Sequence, residues 1–387
     1  MQVHLQGGFG EKGRTSVCVQ TQGCSVMLDA GIKVGAGDDS YHPRLALSAR
    51  DLDALVISHA HEDHVGALCW LAAQGYTGPI YMTAETLAET PAALAQYARP
   101  DDLAAHPLAS MDIRTVQIGT RFSVGPLAID TGHSGHVAGG MWIAASDTSA
   151  KVVYCGDVVP NSEVFPMTAL PQCDLLVIDA SYGADPVSAH DRAIAIRAWI
   201  ATHSGGCVLP TPLAGRSLEL IAIQEGPFAI SGDMADPLLA QIRAISGHNP
   251  KITKRLVAKV ERAHLWNRGD QFPTLPLLVH DGMGVAGPAA TAIPLAVTRQ
   301  TPMLFTGHLP DGSPGAIAFA NGQADWIRLP THPTLHENNQ MCGTVDAARV
   351  FGHSCATADL TDLADHIDAL DPTAKTGQTH FVNGRDR

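Results

Sequence analysis

Six consecutive residues, His59-Ala60-His61-Glu62-Asp63-His64, carry three imidazoles and two carboxylates. They follow a short apolar run, Leu55-Val56-Ile57, and open a stretch of helical spacing in which Val65, Leu68 and Ala72 share a face. Two imidazoles two positions apart on an extended turn point the same way and can grip one metal ion. Asp63 and His64, at the start of the helix, can turn toward a second ion. Packing does not explain three histidines and an aspartate in so short a segment. The chain holds 19 histidines in all, a further sign of metal chemistry.

Other residues could complete such a centre. Thr131-Gly132-His133-Ser134-Gly135-His136 offers two more imidazoles. Tyr154-Cys155-Gly156-Asp157 ends a strand-like run in an aspartate behind a glycine, so the carboxylate can approach cations closely. Its two oxygens can span a pair of metals about 3.5–4 Å apart. Imidazole and carboxylate donors together suit Zn²⁺ and also admit Mn²⁺. Two such ions lower the pKa of a shared water and neutralise an anionic centre, which favours phosphodiester over neutral amide substrates.

The elements that must position these groups alternate short strand-like runs with helical ones, the pattern of an α/β protein. Ser16–Val19 and Ser25–Leu28 read as a hairpin around Gln22-Gly23. Leu55–Ile57, Pro79–Met82, Val152–Cys155 and Leu175–Ile178 read as strands, with helices expected over Val65–Ala73 and Thr86–Tyr97. Beyond about Pro186, Asp191–Thr202 and Arg216–Glu225 read as helices, and Cys207–Leu209, Leu277–Val279 and Met303–Phe305 as strands. No composition shift marks a boundary, so a second domain is expected to be an insertion.

At 387 residues, with 45% hydrophobic and 16% charged side chains, the chain can bury a substantial core, which excludes a disordered tail or a coiled coil. The net charge of −13 confines any contact with nucleic acid to a local patch. Eight cysteines include no C-x-x-C pair, so no zinc ribbon or redox motif is expected. The first residues lack an apolar core of the secretory kind. The most apolar stretch, Leu275–Val297, is broken by His280, Asp281 and several Gly and Pro, so no membrane span is expected. These features point to a cytoplasmic protein with reduced thiols.

The H-x-H-x-D-H segment resembles the signature of the metallo-β-lactamase fold. Leu52–His61 and Asp63–Leu68 narrow the likeness to the β-CASP nucleases, the group that includes ribonuclease J and the endonuclease subunit of the pre-mRNA cleavage and polyadenylation machinery. The opening Gly7-Gly8-Phe9-Gly10-Glu11-Lys12-Gly13 and Leu28-Asp29-Ala30-Gly31-Ile32-Lys33 are similar to the start of ribonuclease J. Gly135-His136-Val137-Ala138-Gly139 resembles the β-CASP pattern G-H-V-x-G, which favours His136 as the metal ligand and leaves His133 on the substrate side. Ile178-Asp179-Ala180-Ser181-Tyr182-Gly183 resembles the first β-CASP motif, and Gly215-Arg216-Ser217-Leu218-Glu219 a later segment. In that segment Arg216 could meet a phosphate or pair with Glu219. The C-terminal region departs from the pattern. Matching a G-H pair selects His353, whereas a gapless match on Ala358-Asp359 puts Thr357 in the histidine position. His380 takes the place of the last ligand but lacks the usual Gly-Glu after it, and the chain ends seven residues later, without the extension of many ribonucleases J.

The resemblance covers nearly the whole chain. It implies an αββα sandwich from residues 1–183 and 346–387, with a β-CASP-like α/β domain inserted over residues 184–345. It implies two divalent ions, held by His59, His61 and His136 on one side and by Asp63, His64 and His380 on the other, bridged by Asp157. Asp63, Asp179 and His353 are expected to be catalytic, with Asp179 orienting His353 for protonation of the departing oxygen. Arg216 and His133 are expected to contact substrate. The expected activity is hydrolysis of single-stranded RNA, with DNA a second substrate and a homodimer admitted. The alternative on the same centre is a small-molecule hydrolase (phosphodiesterase, lactonase or β-lactam hydrolase).

Overall fold

The computed structural model describes residues 1–384. The chain packs into two compact units. One comprises Met1–Asn161, Met167–Pro186 and the chain from His332 onward; the other comprises Ser162–Pro166 and Val187–Thr331. The return to the first unit comes at His332, earlier than the residue 346 expected from sequence. The helix Leu335–Val345 belongs there because Met341 and Val345 pack with Leu176, Ile178 and Val350.

The first unit is built on two sheets. Seven strands run in the order Thr379–Phe381, Gln2–Gly7, Ser16–Thr21, Cys24–Leu28, Ala54–Val56, Ile80–Met82, Ile113–Thr115. Six run in the order Arg349–His353, Leu175–Asp179, Lys151–Tyr154, Met141–Ser146, Leu127–His133, Phe122–Val124. Successive strand residues face opposite ways, and both faces are used. Val17, Val19, Val26, Leu28, Ala54 and Val56 meet Ile143, Ala145, Val152, Tyr154, Leu175 and Val177 between the sheets. Their alternates face outward: Cys18, Met27, Leu55 and Ile57 pack with Leu68, Leu71 and Leu94 of helices on one side, while Ala144, Val153, Leu176 and Ile178 pack with Leu360 and Leu363 on the other. Strands buried on both faces read as continuous apolar runs, and the result is an αββα sandwich.

The hairpin turns at Gly23, whose φ of +78° an L side chain rarely adopts. The helix expected over Val65–Ala73 is two shorter ones, Glu62–Val65 and Leu68–Ala73. The break has a hydrogen-bonding cause. Ala67 N–H donates to Ala30 O at 2.8 Å, and Asp63 O accepts instead from Thr15 N–H at 2.9 Å. Ala30 N–H and Ile32 N–H donate to His64 O and Glu62 O. The Ala30–Ile32 loop therefore clamps the backbone of the histidine-rich turn. Gly31 permits this approach, since a Cβ there would stand 1.6 Å from Asp63 O.

The second unit holds a parallel four-stranded sheet in the order Cys207–Pro210, Pro276–Val279, Ala229–Ser231, His264–Trp266. Its core gathers Val208, Ala229, Trp266, Leu277, Val279, Ile293 and Phe305. Among the described residues no helix is long and apolar enough to cross a membrane.

Candidate metal centre

In the first unit, loops at strand ends bring the predicted ligands together. His59 follows the strand Ala54–Val56, His61 precedes the helix Glu62–Val65, and His64 lies in its last turn. His136 lies after the strand Leu127–His133, and Asp157 after Lys151–Tyr154. Gly156 adopts φ +56°, and a Cβ on it would stand 2.9 Å from both Cβ and Oγ of Ser58. That close approach brings Asp157 against the histidine turn.

Ligand atoms of His59, His61, His136 and Asp157 all lie within 4.8 Å of one another. His61 Nδ1 and His136 Nε2 are 3.2 Å apart, and Asp157 Oδ2 is 3.6 Å from both His59 Nε2 and His136 Nε2. On the other carboxylate oxygen, Asp157 Oδ1 is 3.1 Å from His64 Nε2, which is 3.6 Å from Asp63 Oδ2. Asp157 thus faces both predicted ligand sets.

The far sides of the rings fix their tautomers. His64 Nδ1–H donates to Asp29 Oδ2 at 2.7 Å. Ser58 Oγ–H donates to the same oxygen at 2.7 Å, which leaves Ser58 Oγ to accept from His59 Nδ1–H at 3.0 Å. Both Nε2 atoms therefore point inward, as metal ligation requires. His59 Nε2, His64 Nε2 and Asp157 Oδ1 are buried without a hydrogen-bond partner. Orphaned acceptors facing one another at such distances are costly unless a cation lies among them. The donor set fits a divalent metal.

Burial, reinforced by the neighbouring imidazoles, pushes His59 and His61 well below the ordinary histidine range. Both are thus neutral, the form that binds metal. Burial opposes charge on His64 too, but the carboxylates of Asp157, Asp63 and Asp29 hold it well above that range, so a metal ion would take the place of the Nε2 proton that these carboxylates favour. Burial also works against the Asp157 anion, yet His64 and His332 hold its carboxyl well below the usual carboxylate range.

Several predicted residues lie elsewhere or act differently. His380 sits on the edge strand Thr379–Phe381, opposite Val3, with its ring centroid 4.6 Å from that of Phe351 at a 48° tilt and Nε2 3.3 Å from Gln378 Oε1. It is not gathered into the ligand cluster, because the sheet pairing that satisfies its backbone holds it on the edge. His353 ends the strand Arg349–His353 and is fully buried. Its Nε2–H donates to Gly156 O and its Nδ1 accepts from Ser354 Oγ, both at 3.0 Å. With both nitrogens engaged, it braces the Gly156 turn and cannot serve as a proton donor to substrate. Thr357 is exposed and starts the helix Thr357–Ala364. His133 ends its strand with backbone bonds to Thr168 and is not part of the cluster. Arg216, in the second unit, donates to Thr331 Oγ1 at 2.8 Å, while Glu219 accepts from Ser162 Oγ, so the two do not pair.

Asp179 orients a histidine, but a different one. His332 Nδ1–H donates to Asp179 Oδ2 at 2.8 Å and is 3.7 Å from Asp157 Oδ2. Asp157, Asp179 and His332 form a second group able to hold a metal ion. The other Asp179 oxygen accepts from Ser181 N–H and Oγ–H. Burial opposes charge on His332, but Asp179 and Asp157 raise its pKa to about 10. Its side chain keeps 19% of its surface, whereas His353 keeps none. Thr334 and Glu337 form a capping box at the helix Leu335–Val345, and Asn338 donates to Asp179 O at 3.1 Å. That helix start sets the turn bearing His332 beside the aspartate. Thr334-x-x-Glu337 was the available sequence signal, since it marks a helix start. Asp29, which accepts from Ser58, His64 and Tyr154 at 0% exposure, was the other group missed.

The chain has recognised relatives. A profile described as "Metallo-beta-lactamase superfamily" matches residues 10–198. The chain is 31% identical over 288 residues to "Transcription termination factor FttA" of Cenarchaeum symbiosum, covering 64% of this chain and 43% of that protein. It is 24% identical over 357 residues to "Ribonuclease TTHA0252" of Thermus thermophilus, covering 81% of each. To "Cleavage and polyadenylation specificity factor 73" of Drosophila melanogaster it is 27% identical over 241 residues, covering 58% of this chain and 35% of that protein. It thus spans less than half the length of two of these three. A crystal structure of a protein of unknown function from Enterococcus faecalis V583 has the same fold, with a TM-score of 0.60 at 14% identity, over 98% of this chain and 99% of that one.

Proposed function

Because the chain belongs to the metallo-β-lactamase superfamily, in its β-CASP branch, we propose that it is a metal-dependent nuclease that hydrolyses phosphodiester bonds of single-stranded RNA, with single-stranded DNA a second substrate. The observation that carries this reading is the set of inward-facing, unpartnered ligand atoms on His59, His64 and Asp157. His59, His61, His136 and Asp157 would hold one divalent ion, and Asp63 and His64 would join Asp157 in holding a second. Mixed nitrogen and oxygen donors suit Zn²⁺ and also Mn²⁺. When bound, such ions lower the pKa of a water toward neutrality and offset the charge of a phosphodiester.

The chain's own residues supply the rest. Asp29 and Ser58 hold the ring orientations of His64 and His59. Asp179 fixes His332 through Nδ1, which leaves Nε2 to hand a proton to the departing oxygen. RNA is favoured because the relative that matches over four-fifths of both lengths is named a ribonuclease. The same reading sets the protein in the cytoplasm, where its eight cysteines stay reduced.

The test is digestion of end-labelled single-stranded RNA and DNA by metal-loaded protein, with His59→Ala and His332→Asn beside the wild type. The reading expects cleavage by the wild type, none by His59→Ala, and a rate slower by about 10²–10⁴-fold for His332→Asn. Hydrolysis of a small ester or lactone with no cleavage of any oligonucleotide would refute it in favour of a small-molecule hydrolase.

A further inference from the structure

The chain is strongly acidic, yet its cations are not evenly spread. Seven of its 25 Lys and Arg side chains fall within residues 243–268, where Glu261 is the one acidic residue. Most of them lie on the second unit's helix Pro250–Arg262. At 3.6 residues per turn, Lys251, Lys254, Arg255 and Arg262 share an arc of about 100° and extend over about 16 Å. All four are exposed. Leu256 and Val260, on the opposite face, are 0% and 2% exposed.

This arrangement works against the helix itself. Lys251 lies in the first turn, where the positive end of the helix dipole disfavours a cation, and that turn carries no acid. Lys251 and Arg255 are four apart, and Lys251 and Lys254 three apart, so like charges adjoin on the surface. Arg255 pairs with Glu163 at 3.8 Å, but both are largely exposed and the pair is therefore weak. Lys259 differs: it is half-buried, and its Nζ donates to the carbonyls of Ile221, Ala222 and Gln224 that end the helix Arg216–Ile223. That structural use sets Lys259 apart from the four, which project into solvent.

We propose that this exposed face is a docking surface for the phosphate backbone of single-stranded nucleic acid, a proposal that rests on the nuclease reading for the chemistry of its partner. A line of cations whose acidic partner, Glu163, makes a weak exposed pair with Arg255 is complementary to a line of phosphates, and it supplies the local patch that a chain of net charge −13 requires. A membrane surface fits less well. Interfacial helices insert their apolar face, and here Leu256 and Val260 are already buried within the unit.

The test replaces the four residues together, Lys251→Gln, Lys254→Gln, Arg255→Gln and Arg262→Gln, in the full metal-loaded chain. Binding of a fluorescent 20-nucleotide 2′-O-methyl phosphorothioate oligouridylate, which resists cleavage, is followed by anisotropy across a salt series. With four cations no longer facing phosphates, the slope of log K against log salt becomes shallower by about 3, and binding at 0.1 M salt weakens about 10²–10³-fold. Circular dichroism and hydrolysis of bis(p-nitrophenyl) phosphate stay at wild-type values, and the thermal midpoint stays level or rises as the like-charge repulsion on the helix is relieved. A control with Arg50, Arg99, Arg114 and Arg121 changed to Gln retains the wild-type slope. An unchanged slope in the helix variant, the same weakening in the control, or no binding by the wild type would overturn the proposal. So would helix-dependent binding to phosphatidylserine vesicles with oligonucleotide binding unaffected. Helix-dependent binding by a protein that cuts no RNA would leave the docking surface standing and remove the nuclease reading; cleavage of RNA with helix-independent binding would do the reverse.

Discussion

Asp29 is the group through which the orientation of His64 can be tested without touching a metal ligand. Three donors converge on its Oδ2: Ser58 Oγ and His64 Nδ1 at 2.7 Å and Tyr154 Oη at 2.6 Å. Ser58 N–H meets Oδ1 at 2.6 Å. In Asp29→Asn the amide nitrogen must face at least one of these donors, whichever way it turns, and the charge that holds the His64 Nδ1 proton is gone. Asn tolerates the left-handed backbone that Asp29 adopts at φ +59°, so the fold should survive. A hydrogen bond to a charged group contributes about 1.5–3 kcal/mol. A supporting group behind a histidine ligand is typically worth about 10–100-fold in metal affinity, which is about 1.4–2.7 kcal/mol. The two figures agree. Titration of Zn²⁺ against a chromogenic chelator should therefore show affinity reduced about 10–100-fold, with the far-ultraviolet circular dichroism unchanged. A variant that holds metal within about twofold of the wild type would refute the claim that Asp29 sets the His64 ligand.

Three more outcomes follow from the structure. His380→Ala, which removes a ring from the sheet edge, should leave metal content and cleavage at wild-type levels and change stability by no more than about 1 kcal/mol in urea unfolding. Gly31→Ala sets a Cβ 1.6 Å from Asp63 O, so it should lower the urea midpoint by an amount equivalent to about 3 kcal/mol and weaken metal binding with it. Burial pushes the Glu219 carboxyl up to about 7, despite its bond from Ser162. Because the folded state holds this proton more tightly than the unfolded chain, the contribution is full below about 4.5 and is lost as pH rises through about 7. Glu219→Gln should flatten that part of the profile, read as the difference in thermal midpoint between about pH 5 and about pH 8.

The reach of sequence reading here followed the range of the forces involved. The histidine turn was legible because its ligands lie within one strand–turn–helix, and the sandwich because strands such as Val26-Met27-Leu28 must be apolar on both faces. His332 was not legible. Its bond to Asp179 spans 153 positions, and only the fold brings the two together. His353 was assigned by its glycine neighbour, but its role depends on where Gly156 O and Ser354 Oγ lie, which no local pattern reports. His380 occupies a familiar place in the order of the chain, yet the sheet-edge pairing holds it against Phe351. The split of Val65–Ala73 into two helices was hidden for a similar reason, since the Ala30–Ile32 loop takes over the hydrogen bonds there.

The most direct test of the account is to measure metal content and RNA cleavage on one preparation, for the wild type and for Asp157→Asn. The account predicts two divalent ions per wild-type chain with cleavage of single-stranded RNA, and loss of both metal and cleavage when Asp157 no longer faces the two histidine sets. A wild-type chain that binds no divalent ion, or an Asp157→Asn chain that retains both ions and full cleavage, would contradict it.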